Sequence, residues 1–290
     1  MNAFFKIGRL YSTARGGQFT GLLKLVCAIL LFGAGPTYGT PNNFGPYVIT
    51  RTLPTTSYVY LGLEGLAFMG GSLYVLDFQG IHQVDPGTGQ DLRDWSVPGL
   101  VWGQKDPSGL VWDGNTFWMS TENSINSISS LTLGSGPSAT IGVTYQLSSQ
   151  PMDLAYANGS LFYPEYLGSI RQFNPGTGQI TGSLPSPSDY IYGLTFDGEN
   201  LLAGFGPGGS PPGALWQLSA QTGAILNTWQ TGASDIQALA YDQSSQTLFI
   251  GTGTHGIIVA QAPEPGTVAI GALGMMALLL SRAAAKRRAT

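Results

Sequence analysis

The chain has 290 residues, 42 of them glycine and 18 proline, and its 12 basic and 16 acidic side chains leave a formal charge of −4. That charge is unevenly spread: residues 40–262 carry four basic side chains (Arg51, Arg93, Lys105 and Arg171) against fifteen acidic ones, a formal −11. A body this acidic, with no basic helix and no basic patch interleaved with aromatics, repels polyphosphates and anionic lipid, which argues against nucleic acid as a partner.

In chain order, residues 1–39 read as a signal peptide. Lys6, Arg9, Arg15 and Lys24 make a positive leader, Leu25 to Gly35 an apolar stretch, and Thr37 and Gly39 the small residues of a cut before Thr40. The one cysteine, Cys27, lies inside the apolar stretch. Lys24 and Val26 stand where a lipidation site needs an apolar run and a small residue, so lipid attachment is not expected. Cleavage as read leaves an exported body without thiols, whose fold cannot rest on disulfides.

The body, residues 40–262, is a repeat. One phrase recurs as Gly65-Leu-Ala-Phe68, Gly109-Leu-Val-Trp112, Asp153-Leu-Ala-Tyr156, Gly193-Leu-Thr-Phe196 and Ala238-Leu-Ala-Tyr241, at offsets of 44, 44, 40 and 45. Leu and the aromatic are two apart, so they share one face of a strand. Tight-turn residues follow: Met69-Gly-Gly71, Asp113-Gly-Asn115, Ala157-Asn-Gly159, Asp197-Gly-Glu-Asn200 and Asp242-Gln-Ser-Ser245. A second apolar strand comes next, at Leu73–Leu76, Phe117–Met119, Leu161–Tyr163, Leu201–Ala203 and Leu248–Ile250. A third strand runs into Asp85-Pro-Gly-Thr-Gly89, Asn174-Pro-Gly-Thr-Gly178 or Ala220-Gln-Thr-Gly223. A fourth closes the unit at Leu92–Val97, Ile180–Leu184 and Ile225–Trp229. The second repeat departs from the pattern: Ser129 to Tyr145 lacks the Pro-Gly-Thr-Gly turn.

Four short antiparallel strands at a period near 44 define a β-propeller blade. Five copies predict an all-β, five-bladed propeller. The fifth copy has three strands, ending near Ile257–Val259, and Val48–Leu53 supplies the fourth, which closes the ring and hides the sheet edges. A two-sheet sandwich explains the strands but not the period. Phe68, Trp112, Tyr156, Phe196 and Tyr241 are expected to fill equivalent pockets between blades. The blade phrases resemble those of NHL, quinoprotein-like and related propellers, families of differing function, so the fold alone implies no activity.

In a propeller the connections from strand four to strand one, and from strand two to strand three, share one face. The repeat places Glu64, Asp106, Asp153, Asp189 and Asp235 on the first type and Asp77, Glu122 and Glu165 on the second. His82 and His255 fall nearby and read as loop residues. Such a ring of carboxylates suits a weakly held Ca²⁺ or a cationic or polyhydroxylated ligand; solvated turn caps have the same composition. No other cofactor is expected. The chain has no Gly-x-Ser-x-Gly elbow, His-Glu-x-x-His, P-loop or Asp-x-Asp-x-Asp-Gly loop, and two histidines cannot supply a three-histidine zinc site. A glycosidase-like pair of carboxylates remains open. Leu63-Glu64-Gly65-Leu66 resembles a repeat phrase of the glutaminyl cyclotransferases, also five-bladed propellers, but is too short to carry their catalysis.

Residues 263–290 form a tripartite tail: Pro263-Glu264-Pro265-Gly266, an uncharged run from Val268 to Leu280, then Arg282, Lys286, Arg287 and Arg288. The prolines end any preceding sheet. The apolar run is shorter than the roughly 20 residues of a comfortable span, and the basic end belongs on the cytoplasmic side. This tail resembles the PEP-CTERM sorting signal of Gram-negative bacteria. The resemblance implies recognition by the exosortase, a membrane protease-transpeptidase, and an inner-membrane intermediate before surface or extracellular release. The expected function is thus an exported binding or structural module. Its partners would be the export machinery, the exosortase and an extracellular polysaccharide or cationic ligand. The alternatives are an extracytoplasmic hydrolase, lyase or cyclotransferase, and a membrane-tethered scaffold.

Overall fold

A computed structural model describes residues 43–54, 62–209, 211–253 and 256–262. The expected signal peptide, the sorting tail and His255 lie outside these described residues. Two strands precede the first repeat, β1 (Asn43–Phe44) and β2 (Tyr47–Leu53). The first blade is β3 (Gly65–Met69), β4 (Ser72–Leu76), β5 (Gly80–Val84) and β6 (Asp91–Ser96). The second is β7 (Lys105–Trp112), β8 (Phe117–Asn123), β9 (Ser127–Thr132) and β10 (Thr140–Gln146). The third is β11 (Ala155–Ala157), β12 (Ser160–Pro164), β13 (Ile170–Asn174) and β14 (Gln179–Leu184). The fourth is β15 (Ile191–Phe196), β16 (Asn200–Phe205), β17 (Ala214–Ser219) and β18 (Ile225–Gln230), and β19 (Ala238–Asp242), β20 (Thr247–Gly251) and β21 (Ile257–Gln261) begin the fifth.

Each of the first four blades is an antiparallel sheet in sequence order, and the fifth is ordered β1-β2-β21-β20-β19. The chain is therefore an all-β five-bladed propeller of four-stranded blades, closed as the repeat predicts: β2 pairs with β21, Leu53 opposite Ile257 and Val48 opposite Gln261. The short β1, paired outside β2, was not legible in the repeat.

Burial follows position in the blade. The second strands β4 and β20 are buried at every residue, which explains their unbroken apolar runs. The outermost strands β6, β10, β14 and β18 are mostly exposed. Both faces of a blade are covered by its neighbours, so the core divides into five clusters, one per interface. Leu66 and Phe68 of β3 point into the cluster shared with the fifth blade, and Ala67 and Met69 into the one shared with the second. Phe68, Trp112, Tyr156, Phe196 and Tyr241 each pack on a different cluster, as expected. All five also line one axial cavity of about 80 Å³, which leaves each only half buried.

The 3–4 turns share one construction. Asp85 Oδ1 accepts the N–H groups of Gly87 and Thr88, Asn174 Oδ1 those of Gly176 and Thr177, and Ser219 Oγ those of Gln221 and Thr222. Each turn ends in a glycine at positive φ: Gly89 (77°), Gly178 (73°) and Gly223 (70°). That glycine rests against the outer strand of the preceding blade, at Leu53-Pro54, Tyr145 and Leu184-Pro185 respectively.

Around the axis the inner strands approach closely enough to require glycine. A Cβ on Gly109 would stand 2.6 Å from Asp153 Cα and 2.8 Å from Leu154 N. Gly109→Ala is expected to destabilise the ring by about 1–3 kcal/mol, because backbone rather than a flexible side chain must yield. Gly134→Ala, with open space around the added methyl, should stay within about 0.5 kcal/mol. Urea unfolding of the two variants checks the difference.

Candidate functional site

The 4–1 and 2–3 connections gather on one face, and four carboxylates from the first two blades meet there. The Glu64 N–H donates to Leu76 O at 2.9 Å, seating Glu64 beside the chain that leads to Asp77. Asp106 and Glu122 were expected in loops. They lie instead in strands, directly opposite one another across β7 and β8, because this hairpin is longer than its counterparts. Asp106 Oδ1 accepts the Gly103 N–H at 2.6 Å, and its Oδ2 accepts from Asn123 Nδ2. Asn123 reaches it from a left-handed backbone (φ 74°), which asparagine tolerates. Gln150 Nε2 donates to Glu122 Oε2 at 2.6 Å.

Burial, then the charges of Glu122, Asp106 and Asp77, push the Glu64 carboxyl up to about 8. Glu122 is also raised, by burial and by Asp106, against the Gln150 hydrogen bond. Asp77 is wholly buried. Its Oδ1 accepts from Gln79 N (2.7 Å), Gly80 N (3.0 Å) and His82 Nε2 (3.1 Å), whereas its Oδ2 has no hydrogen-bond partner among the described residues.

His82 is not a loop residue. It stands in β5, buried, with Nδ1 2.8 Å from Asp94 Oδ1 and Nε2 on Asp77. Burial lowers its basicity, but the hydrogen bonds and charges of Asp77 and Asp94 outweigh that, and the imidazole is held above its ordinary value.

The remaining expected ligands are engaged elsewhere. Asp153 is fully buried and its carboxylate caps inner-strand backbone: Oδ1 accepts Leu154 N at 2.7 Å and Oδ2 accepts Leu194 N at 2.6 Å, with Leu239 N a further donor. This capping starts β11 only at Ala155, two residues later than its repeat phrase. Burial pushes the Asp153 carboxyl well above the usual range, against those three donors. Glu165 Oε2 lies 2.7 Å from Arg171 Nε, a charge contact without hydrogen-bond alignment, and its Oε1 accepts from Ser149. Asp235 holds Gly253 N at 2.9 Å, and Asp189 is exposed. Among the described residues no three His, Cys, Asp or Glu side chains assemble as a metal site; four of the eight carboxylates, Asp77, Asp106, Asp153 and Asp235, accept backbone N–H groups.

Aromatic residues in the same connections escaped the sequence reading. Phe78 and Trp102 lie with ring centroids 4.3 Å apart, and Trp102 is 68% exposed. Tyr166 and Tyr190 meet edge to face at 6.4 Å. Burial, with Tyr166, Glu122, Tyr190 and Glu64 nearby, raises the Tyr192 hydroxyl. Their one signal was position, in connections where no core demands a large ring.

The fold and face define a propeller with an acidic, aromatic-rimmed opening. Among solved structures the chain is similar to the glutaminyl cyclase of Myxococcus xanthus, at 15% identity over 74% of this chain and 95% of that one, with a TM-score of 0.60. It is more distantly similar to the WD40 propeller domain of Doa1, at 8% identity over 75% and 97% of the two chains and a TM-score of 0.46. The likeness to the cyclase shows the fold alone. No family model matches the chain, and no curated protein matches it.

Two of the raised groups, Glu64 and His82, affect stability with the same sign. Glu64 stays protonated in the fold at pH values where the unfolded chain has released that proton, so its contribution falls as pH rises through the carboxylate range and the loss is complete above about 8. The His82 contribution is full below 6.5, its ordinary value, and is lost as pH rises through its elevated one. Glu64→Gln should therefore flatten the decline in melting temperature up to about pH 9, whereas His82→Gln should remove the part beginning near neutrality. Thermal melts of both variants across pH 5–9 test the assignment.

Proposed function

We propose that this propeller is an exported binding module whose acidic face receives a cationic ligand, and that its Pro263-Glu264-Pro265 tail routes it through an exosortase to the cell surface or matrix. The observation that carries the binding reading is Glu64, a carboxyl held near 8 by burial and three neighbouring acids. A site that keeps a proton against its acidity lacks positive charge, and the buried, unpartnered Asp77 Oδ2 adds to that demand. Trp102, Phe78 and the tyrosines supply ring faces suited to cations.

An ammonium seated beside Glu64 displaces its proton. Calorimetry of polyamines and amino-sugar oligomers at pH 7, in buffers of different ionisation heat, should show proton release on binding that disappears in Glu64→Gln. Absence of binding by every cation would sink this reading.

A second reading, an enzyme, draws on the same residue, since a carboxyl with a pKa near 8 can serve as a general acid or base at neutral pH. The similarity to a glutaminyl cyclase makes peptides with an amino-terminal glutamine the first substrates to try. Turnover lost in Glu64→Gln would favour the enzyme, and binding without turnover the module.

The sorting reading rests on the tail residues. β21 ends at Gln261, and the Ala262 N–H donates to Gln246 O at 3.1 Å, which supports the expectation that removal of the tail leaves the ring intact. Mass spectrometry of the surface-exposed protein should find Arg287-Arg288 missing. Recovery of the intact end would replace sorting with a membrane-tethered scaffold.

A further inference from the structure

We infer that the gap between the first and second blades is a second ligand site, distinct from the acidic face, which takes a six-membered ring bearing a carboxylate. The gap exists because the second repeat lacks the tight 3–4 turn. In the first, third and fourth blades the turn's last glycine packs onto the preceding blade's outer strand. Residues 133–139 take a longer path. Ser96 N donates to Pro137 O and Ala139 N to Ser96 O, both at 2.9 Å, and Trp95 Nε1 donates to Gly134 O at 2.9 Å. The loop thus bridges to the end of β6 and leaves beneath it a cavity of about 350 Å³, within the roughly 300–1,000 Å³ range of small-molecule sites.

Its walls are aromatic. Tyr74 and Trp95 come from the first blade, Trp112 and Phe117 from the second, with Tyr74 and Trp112 each 4.8 Å from the Phe117 ring centroid. Tyr74, Trp95 and Phe117 are only 3–5% exposed, so the half-buried Trp112 is the most open of these rings. The polar end is Arg93, which cross-strand pairing aligns with Gln83 and, through it, with Tyr74. The guanidinium lies over the Trp95 ring at 4.7 Å, and its Nη2 makes a 3.3 Å bond to Gly136 O. Among the described residues no carboxylate pairs with it, in a body of formal charge −11. A cation held at a cavity edge without an anionic partner selects a ligand that brings the carboxylate. Hexuronic acids and benzoate-type aromatic acids share that chemistry.

Arg51 provides the matched control. It ties β2 to the next blade's turn in the same way, donating to Pro86 O at 2.7 Å, but it does not line the cavity between the first and second blades. Tryptophan fluorescence and calorimetry with glucuronate, benzoate and glucose should give saturable binding of at least one acid and none of glucose. Arg93→Gln should weaken that binding at least tenfold, and Arg51→Gln should leave it unchanged. Comparable melting temperatures for the two variants separate lost binding from lost structure. Preference for glucuronate assigns the site to acidic glycans, and preference for benzoate to aromatic acids. Binding of neither acid, equal binding of glucose, or full affinity in Arg93→Gln overturns the proposal.

Discussion

Everything in this ring depends on the pairing of β2 with β21. It joins residues 48 and 261, so the chain must close on itself before the last sheet gains its outer strand. The gain is not confined to hydrogen bonds. Leu53 enters the core between the fifth and first blades, and Tyr47 enters the core between the fourth and fifth. One strand therefore completes two of the five interfaces, and the blades on either side of the closure are stable only together. The entropy of closing so long a loop grows only logarithmically with length, but no non-local contact rewards it until late. A ring built this way is expected to fold slowly and as one unit.

Closure forces the five inner strands together, and that constraint reaches the axis. Gly65 and Gly109 have no room for a Cβ against the neighbouring inner strands, and Asp153 caps backbone N–H groups that would otherwise be buried without a partner. A carboxyl in that position is a desolvated acid whose backbone donors offset the loss of water only in part. The same crowding raises the Glu64 carboxyl in the same direction. There the neighbours are other carboxylates rather than N–H donors, a crowding that on the reading proposed above a cationic ligand would relieve.

The architecture was legible because its signals are redundant. The leucine-aromatic phrase, the glycine turns and the split fifth blade each report the same 44-residue unit, and neighbouring copies repeat it. What was not legible lies where one residue can serve two uses. Asp153 occupies the phrase position of Gly65 and Gly109 yet turns inward, because three inner-strand N–H groups converge on it. His82 sits in a strand slot that alternation assigns to the interior, but a histidine beside an acidic connection reads equally well as a loop. Asp106 and Glu122 moved from loop to strand because nothing in the phrase marks how far the β7–β8 hairpin extends. The aromatic rim and the gap under residues 133–139 depend on distances between blades, and a repeat pattern carries no such distances. The missing Pro-Gly-Thr-Gly turn did mark the second blade as different, and the difference is a cavity.

His82 joins Asp77, on the acidic face, to Asp94, which adjoins Arg93 on the outer strand. A proton on this imidazole offsets Asp77, on the acidic face, and Asp94, which lies on the face of β6 opposite Arg93. Protonation therefore lowers the negative potential that would attract a cation to the acidic face. A cation on the acidic face should therefore be held less tightly once His82 is protonated. The effect is electrostatic, carried by the charge on the imidazole, and it should weaken as added salt shortens the Debye length.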